Sequence, residues 1–183
     1  MQAVGEALAQ APEFVLDPEK RYEFVDGQPK EKEMPGAKHS GVGTRLIVRM
    51  GSFVEAHHLG GVYGEASFQI GKRERIPDVA FVALERIPPE GEPETKWPFA
   101  PDLAVEVISP NDIFDQVISK MREYFAAGVK QVWLISTEHR LVIVHDSILH
   151  TNMLEEDSEL TCEALLPGFR CRVADLFKSP TTA

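Results

Sequence analysis

The hexapeptide LAVEVI at residues 103–108 is nearly continuous in apolar side chains, apart from one carboxylate. A short apolar run of this kind is typical of a strand that is buried on both faces at the centre of a sheet. Glu106 is costly to bury there unless it is paired or coordinates a metal. The alternatives are that Glu106 faces solvent on an edge strand or that it meets an arginine.

The residues after this strand predict a helix and two further strands. Asn111 or Asp112 can cap a helix that runs to about Ala127, where a glycine follows. Residues 131–136 and 141–145 have the composition of strands. A strand–helix–strand unit of this kind places its two strands parallel through a right-handed crossover. The order of elements predicts a mixed α/β (α+β) fold, with a central sheet flanked by helices.

The residues before LAVEVI predict a hairpin, a helix and two strands. Residues 21–29 alternate in polarity and enter an Asp-Gly turn, which predicts a β-hairpin. Residues 38–58 have a helical period, and residues 61–70 and 75–84 are predicted as strands joined by a polar turn. One face of the predicted helix carries His39, Val42, Leu46, Met50, Phe53 and His57. Residues 173–178 are predicted to form a short terminal helix.

The length of 183 residues is sufficient for one domain with its own core. We therefore predict a single domain over residues 21–178, an N-terminal tether over residues 1–20 and a C-terminal tail over residues 179–183. No apolar run approaches the roughly 20 residues of a membrane span, and the first 14 residues lack the pattern of a secretory signal. These features predict a soluble, cytoplasmic protein.

The net charge of −10 argues against a protein that coats nucleic acid with a basic surface. Two segments hold most of this charge, since residues 85–94 carry −3 and residues 155–163 carry −5. Residues 34–54 carry +3, so the acidic total does not exclude local binding of nucleic acid. The basic side chains predicted to contact nucleic acid are Lys38, Arg45, Arg49, Lys72, Arg73 and Arg75.

A second carboxylate, Asp78, opens an apolar segment directly after Pro77. An aspartate after proline is also common in turns and caps, and that is the alternative interpretation. If the strands of Asp78 and Glu106 are neighbours in one sheet, the two acids can converge on a divalent cation. Hard oxygen ligands suit Mg²⁺ or Mn²⁺.

Lys120 lies at the edge of the apolar stripe of the predicted helix, beside Val117 and Tyr124. Its methylene groups can cover the core while its ammonium group reaches toward the sheet. The alternative is that the side chain extends outward to water, which is common for a lysine at the edge of an apolar stripe.

Taken in order, these residues resemble the PD-(D/E)xK nuclease superfamily, whose members have a restriction-endonuclease-like fold. Asp78 and Glu106 match its acidic positions, but Ile108 stands where its lysine is expected, so Lys120 matches from the following helix. Such a displaced lysine is a feature of the Uma family, which the sequence resembles over residues 22–177. The matching segments are YEFVDG at 22–27, a helix led by His39, RIPDV at 75–79, DLAVEVISP at 102–110, and Lys120 followed by Tyr124, GV at 128–129 and VWL at 132–134.

The resemblance implies a restriction-endonuclease-like fold with an N-terminal β-hairpin, and a metal-dependent endonuclease that hydrolyses phosphodiester bonds of DNA. Asp78 and Glu106 would hold Mg²⁺, for which Mn²⁺ can substitute, with the backbone carbonyl of Val107 as a further ligand. Lys120 would stabilise developing charge or orient the attacking water. A homodimer is expected by analogy with nucleases that pair two sites to cut both strands.

Glu23 and His39 are further catalytic candidates. Glu23 lies in the matching hairpin segment, where it either reaches the metal or a bound water, or faces solvent on its strand. His39 lies on the core-facing side of its helix. It either accepts a proton or contacts a phosphate at the mouth of the site, or it is an interior histidine with satisfied hydrogen bonds.

Two other functions remain open at the level of sequence. The net negative charge and the lack of a sizeable basic segment are also typical of a non-catalytic protein-interaction module that retains the nuclease fold. The short chain leaves no room for a separate recognition domain, so a nuclease subunit that needs a partner for target recognition is the other alternative.

Overall fold

A computed structural model describes residues 14–179 of the chain. The strands, in chain order, are β1 (Arg21–Val25), β2 (Gln28–Lys32), β3 (Gly60–Gly64), β4 (Phe68–Ile70), β5 (Arg73–Arg75), β6 (Val79–Ala83), β7 (Leu103–Ile108), β8 (Gln131–Ser136), β9 (Leu141–His145), β10 (Thr151–Leu154), β11 (Glu159–Cys162) and β12 (Leu166–Arg172). The helices are α1 (Ala37–Ala56), α2 (Phe114–Ala126) and α3 (Val173–Phe177). None of the helices in this part of the chain has the length and apolar character needed to cross a membrane.

A mixed sheet of six strands, in the order β10-β9-β8-β7-β6-β3, forms the centre of the fold. The strands β7 and β8 are parallel and are joined through α2, whereas the other neighbours in this sheet are antiparallel. The predicted strand–helix–strand unit and the central position of β7 are therefore confirmed. The position of β7 also explains its sequence, because a strand with neighbours on both sides and helices on both faces needs apolar side chains throughout.

The two faces of the central sheet are covered by different elements. Val79 and Phe81 of β6 belong to a core shared with α1, α3 and the two-stranded sheet β11-β12. Ala80 and Val82 of the same strand belong to a second core shared with α2 and the loop around Trp97. This alternation follows from the two-residue period of a strand, whose successive side chains point to opposite faces of the sheet.

Helix α1 is close to its predicted range. Val42, Leu46 and Met50 are buried, as expected from the helical period, and Val54 continues the buried face. His57 had been placed on this face but is exposed, because the helix ends at Ala56.

The predicted N-terminal hairpin is confirmed. Strands β1 and β2 pair antiparallel around a turn in which Asp26 and Gly27 both adopt positive φ angles, of 51° and 75°. Such a turn is favoured by an Asp-Gly pair. The hairpin extends into a second sheet with the order β2-β1-β5-β4, which lies outside the central sheet.

The prediction of two long strands over residues 61–70 and 75–84 was wrong. Each segment divides, so that β3 and β6 pair in the central sheet while β4 and β5 form a short hairpin in the second sheet. The breaks follow from local chemistry, because Glu65 adopts a positive φ of 51° and Pro77 has no N–H to donate to a neighbouring strand. The second break determines where Asp78 lies.

The start of the helix after β7 also differs from the prediction. Helix α2 begins at Phe114, and the capping position is taken by Ile113 without a side-chain hydrogen bond. Asp112 instead accepts a hydrogen bond of 2.6 Å from the backbone N–H of Ser109, which closes the turn after β7.

The C-terminal part contains three strands that the sequence pattern did not predict, β10, β11 and β12. In β12 the segment Pro167-Gly168 obscures the strand pattern, because proline and glycine are depleted in strands. The terminal helix α3 agrees with the prediction within one residue. Residues 1–13 of the predicted tether and residues 180–183 of the predicted tail lie outside the described residues, and the division into domain, tether and tail stays a prediction.

Candidate active site

A cavity of about 940 Å³ lies where the N-terminal hairpin, the end of β7 and helix α2 meet. All of the residues proposed from the sequence as catalytic face this one cavity, although they come from four separate elements and the loop before β6. They are Glu23, His39, Asp78, Glu106 and Lys120, and Val107 also lines the cavity.

The pairing of β6 with β7 brings the two acidic candidates together. Val79 is the register partner of Val105, and the strands are antiparallel. Asp78 precedes Val79 and Glu106 follows Val105, so the two carboxylates lie at the same end of neighbouring strands. The break at Pro77 is what lets Asp78 turn from the second sheet into this position.

Asp78 is only 7% exposed, and both of its carboxylate oxygens are engaged. Its Oδ2 accepts a hydrogen bond of 2.7 Å from the N–H of Val107 and lies 3.1 Å from His39 Nε2, while Oδ1 lies 2.8 Å from Lys32 Nζ. Burial alone raises the pKa of Asp78, but His39 and Lys32 outweigh that effect and hold the pKa well below its ordinary value. Asp78 is therefore ionised at neutral pH.

Glu106 points into the cavity and is held by helix α2. Its Oε1 accepts a hydrogen bond of 2.6 Å from the hydroxyl group of Tyr124, and its two oxygens lie 2.9 and 3.0 Å from Lys120 Nζ. Burial raises the pKa of Glu106, Lys120 opposes that rise, and the negative charge of Asp78 adds to it. Asp78 and Glu106 are thus close enough to interact electrostatically.

Lys120 bridges two carboxylates from different sheets. Its Nζ lies 2.9 Å from Glu106 Oε1 and 2.9 Å from Glu23 Oε1, and the side chain is 16% exposed. Burial lowers the pKa of Lys120, but the two carboxylates outweigh burial, so the pKa lies above its ordinary value. The ammonium group is therefore turned toward the sheet and stays charged, rather than extending outward to water.

Glu23 is anchored by the chain around β5. Its Oε1 accepts a hydrogen bond of 3.0 Å from the N–H of Ile76, and its Oε2 accepts one of 2.7 Å from Arg75. Burial raises the pKa of Glu23, but Lys120, the Ile76 N–H and Arg75 together lower it to about 2. Arg75 is itself only 6% exposed and also pairs with Glu123 at 2.6 Å. Although Arg75 was predicted to contact nucleic acid, in the structure it is a buried residue of the cavity lining that pairs with two carboxylates.

Two of the other predicted nucleic-acid contacts lie on α1, facing the C-terminal helix. Arg45 donates a hydrogen bond of 2.8 Å from Nε to the backbone carbonyl of Leu176. Arg49 lies 4.0 Å from Asp175. Both guanidinium groups therefore join α1 to α3, and neither residue lines the cavity.

The remaining predicted nucleic-acid contacts lie at exposed or partly exposed positions. Lys38 and Lys72 are exposed. Arg73 lines the cavity and is one-third exposed, and it pairs with Asp26 at 2.6 Å and with Glu123 at 3.6 Å. Lys38, Lys72 and Arg73 are thus the residues of the predicted set whose placement suits contact with an extended polyanion.

Sequence reasoning did not identify two residues that hold the acidic pair, Lys32 and Tyr124. Tyr124 had been assigned only to the apolar stripe of its helix, although its spacing of four residues from Lys120 placed both on one face. Lys32 ends a strand rich in exposed polar residues, and nothing in its local pattern distinguishes it from them.

Comparison with known proteins extends the resemblance. The model of the Uma2 family, described as "Putative restriction endonuclease", matches residues 6–174. Among solved structures, the crystal structure of "a putative nuclease belonging to DUF820" from Anabaena variabilis matches with a TM-score of 0.80 and 23% sequence identity, covering 89% of this chain and 93% of that one. No curated protein matches the sequence. The predicted restriction-endonuclease-like fold is confirmed.

The family match includes the hairpin, both acidic strands and the helix of Lys120. It therefore covers every residue of the cavity discussed above. The chain belongs to the Uma2 family, whose description supports a nuclease function and hence a nucleic-acid substrate.

Proposed function

We propose that the protein is a metal-dependent endonuclease that hydrolyses phosphodiester bonds of DNA. The observation that carries this proposal is the joint placement of Asp78, Glu106 and Lys120 at one end of the central sheet. Two carboxylates on neighbouring strands and a charged lysine within 3.0 Å of one of them form a compact site that opens into a cavity. The family assignment supports the same class of reaction.

The donor set fits a hard divalent cation. Within residues 14–179, no three His, Cys, Asp or Glu side chains are grouped as a complete metal site. Asp78 and Glu106 would hold Mg²⁺, or Mn²⁺ in its place, together with the backbone carbonyl of Val107 and water, because carboxylate and carbonyl oxygens suit these ions. When bound, such a metal polarises a phosphate, lowers the pKa of a bound water and offsets charge on the leaving oxygen.

The roles proposed for the protein side chains follow from their charges. Lys120 is protonated, so it stabilises negative charge on a phosphate or orients a water molecule, and it does not serve as a general base. Glu23 acts as a positioning residue, because its carboxylate lies 2.9 Å from the Lys120 ammonium group that also contacts Glu106. His39 positions Asp78 through Nε2.

Carboxylate–cation pairing within the cavity also favours one alternative function. Asp78 pairs with Lys32, Glu106 with Lys120, and Glu23 with Arg75. A site that is neutralised by its own side chains suits a non-catalytic interaction module that retains the fold. Calorimetry separates the two proposals, since a nuclease of this type binds Mn²⁺ in a manner that depends on Asp78 and an interaction module does not.

The first test is a cleavage assay with the purified protein. Duplex, single-stranded and hairpin DNA, with matching RNA, are incubated with Mg²⁺ or Mn²⁺ and in parallel with excess chelator. We expect products from DNA only in the presence of metal, because the metal supplies the chemistry that these side chains lack. Cleavage of RNA alone would correct the substrate, and the absence of cleavage on every substrate would remove the main support for an enzyme.

A homodimer is proposed for cutting both strands of a duplex, since one site acts on one strand at a time. A nuclease subunit that depends on a partner is the remaining alternative, and it predicts nicking or weak cleavage by the isolated chain.

A further inference from the structure

The ammonium group of Lys32 contacts Asp78 directly, although Lys32 belongs to the second sheet. Its Nζ is 2.8 Å from Asp78 Oδ1 and donates a second hydrogen bond of 2.7 Å to the backbone carbonyl of Ile76. The side chain is only 15% exposed. Lys32 is the last residue of β2, the edge strand of the second sheet, so its long side chain extends from the hairpin to the start of β6.

The other oxygen of Asp78 is committed to different partners. Oδ2 accepts from the Val107 N–H at 2.7 Å and contacts His39 at 3.1 Å. A carboxylate oxygen has about two acceptor positions. Oδ1, the oxygen that Lys32 contacts, therefore still has a lone pair with which to bind a further ligand.

Two positive charges compete for this oxygen. A divalent cation on Oδ1 would stand beside the Lys32 ammonium group, and like charges at such a separation repel strongly in a partly buried site. Without a cation, Lys32 is the only lysine or arginine that pairs with Asp78 among residues 14–179. Its removal would leave a carboxylate that is 7% exposed, with His39 as its remaining ionisable partner among residues 14–179.

We propose that Lys32 is a positioning residue that serves as the resident counterion of Asp78 and competes with the divalent metal for it. Metal binding displaces the ammonium group from Oδ1. The Lys32–Asp78 pair therefore stabilises the metal-free protein and lowers its affinity for the metal. This inference rests on the proposed function, because it takes Asp78 as a metal ligand. It concerns Lys32, to which neither the sequence pattern nor the family description gives a role.

The test is isothermal calorimetry with Mn²⁺ on the full chain, combined with thermal unfolding of the metal-free protein. The variant Lys32→Met removes the charge but keeps an unbranched side chain that is one atom shorter, and Lys32→Arg keeps the charge. Lys178→Met is the matched control, because it also removes one positive charge but from a pair with Asp175 that is 69% exposed on the lysine side.

We expect Lys32→Met to bind Mn²⁺ at least about tenfold more tightly than the wild type, because the competing charge is gone. Lys32→Arg and Lys178→Met should stay within about threefold of the wild type. In the absence of metal, the unfolding midpoint of Lys32→Met should fall by at least about 3 °C, because Asp78 loses a partner while remaining buried. A purely structural role for Lys32 predicts the loss of stability without the gain in affinity.

The outcomes distinguish this inference from the proposed function. If the wild type binds Mn²⁺ through Asp78 and Lys32→Met binds it equally or more weakly, the inference is overturned and the metal site stands. If neither the wild type nor Lys32→Met binds Mn²⁺, both the inference and the proposed metal site are wrong.

Discussion

Replacing Asp78 with asparagine is expected to reduce metal-dependent DNA cleavage at least about 1,000-fold while leaving the fold intact. The amide oxygen can still accept the hydrogen bond that the Val107 N–H now donates to Oδ2 at 2.7 Å, so the junction of β6 and β7 is retained. The negative charge is lost, and with it the ability to hold a divalent cation beside Glu106. Losses of this size are typical when a group that stabilises transition-state charge is removed.

The matched control is Asp146→Asn, an exposed aspartate paired with His150 and distant from the cavity. Its cleavage rate should stay within about threefold of the wild type. Rates are measured under single-turnover conditions with Mg²⁺, and circular dichroism checks that both variants are folded. An Asp78→Asn protein that cleaves DNA at the wild-type rate would show that Asp78 does not take part in the reaction.

The second large effect is expected for Lys120→Met. Its ammonium group is shared by Glu23 and Glu106 at 2.9 Å each, and all three side chains are at most 16% exposed. Removing the cation leaves these carboxylates buried without their common partner. We expect the free energy of unfolding of the metal-free protein to fall by about 3–5 kcal/mol, and cleavage to fall at least about 100-fold.

A double-variant cycle separates the ion pair from general damage. Glu106→Gln combined with Lys120→Met removes both charges of one pair, so the double variant should recover part of the stability lost by Lys120→Met alone. Urea unfolding of the wild type, both single variants and the double variant measures the coupling. Strictly additive effects would mean that the Lys120–Glu106 contact contributes nothing to stability.

Much of the acidic site could be predicted from the sequence because its elements have strong local patterns. Two carboxylates predicted the site because each stands among apolar residues. One lies in the apolar run at residues 103–108, and the other directly follows Pro77. The helical period placed Lys120 at the edge of its apolar stripe, and in the structure it faces the sheet. These residues share the property that apolar neighbours make a charged side chain costly unless it has a partner.

The partners of these residues could not be predicted, because they depend on contacts between segments that are far apart in the chain. Lys32 and Asp78 are 46 residues apart, and Arg75 and Glu23 are 52 residues apart. From sequence, a lysine or arginine in a polar segment is equally consistent with a solvated surface, a nucleic-acid contact or an internal counterion. Arg75 was therefore predicted as a nucleic-acid contact, although its guanidinium group is buried between Glu23 and Glu123.

The division of residues 61–84 between two sheets was missed for a similar reason. Most residues of β3, β4, β5 and β6 fall within the two predicted strands, but a break of a few residues decides which sheet a strand joins. The break at Pro77 was visible in the sequence. The effect of this break on strand pairing could not be predicted from the sequence, because the pairing of β5 with β1 and of β6 with β7 is set by tertiary packing.

The most direct test of the central claim is a crystal structure of the protein with Mn²⁺, using anomalous scattering to locate the ion. We expect one Mn²⁺ bound by carboxylate oxygens of Asp78 and Glu106, with the backbone carbonyl of Val107 among its ligands and Lys120 still beside Glu106. Mn²⁺ bound elsewhere, with the Asp78 and Glu106 carboxylates retaining only their present protein partners, would contradict it.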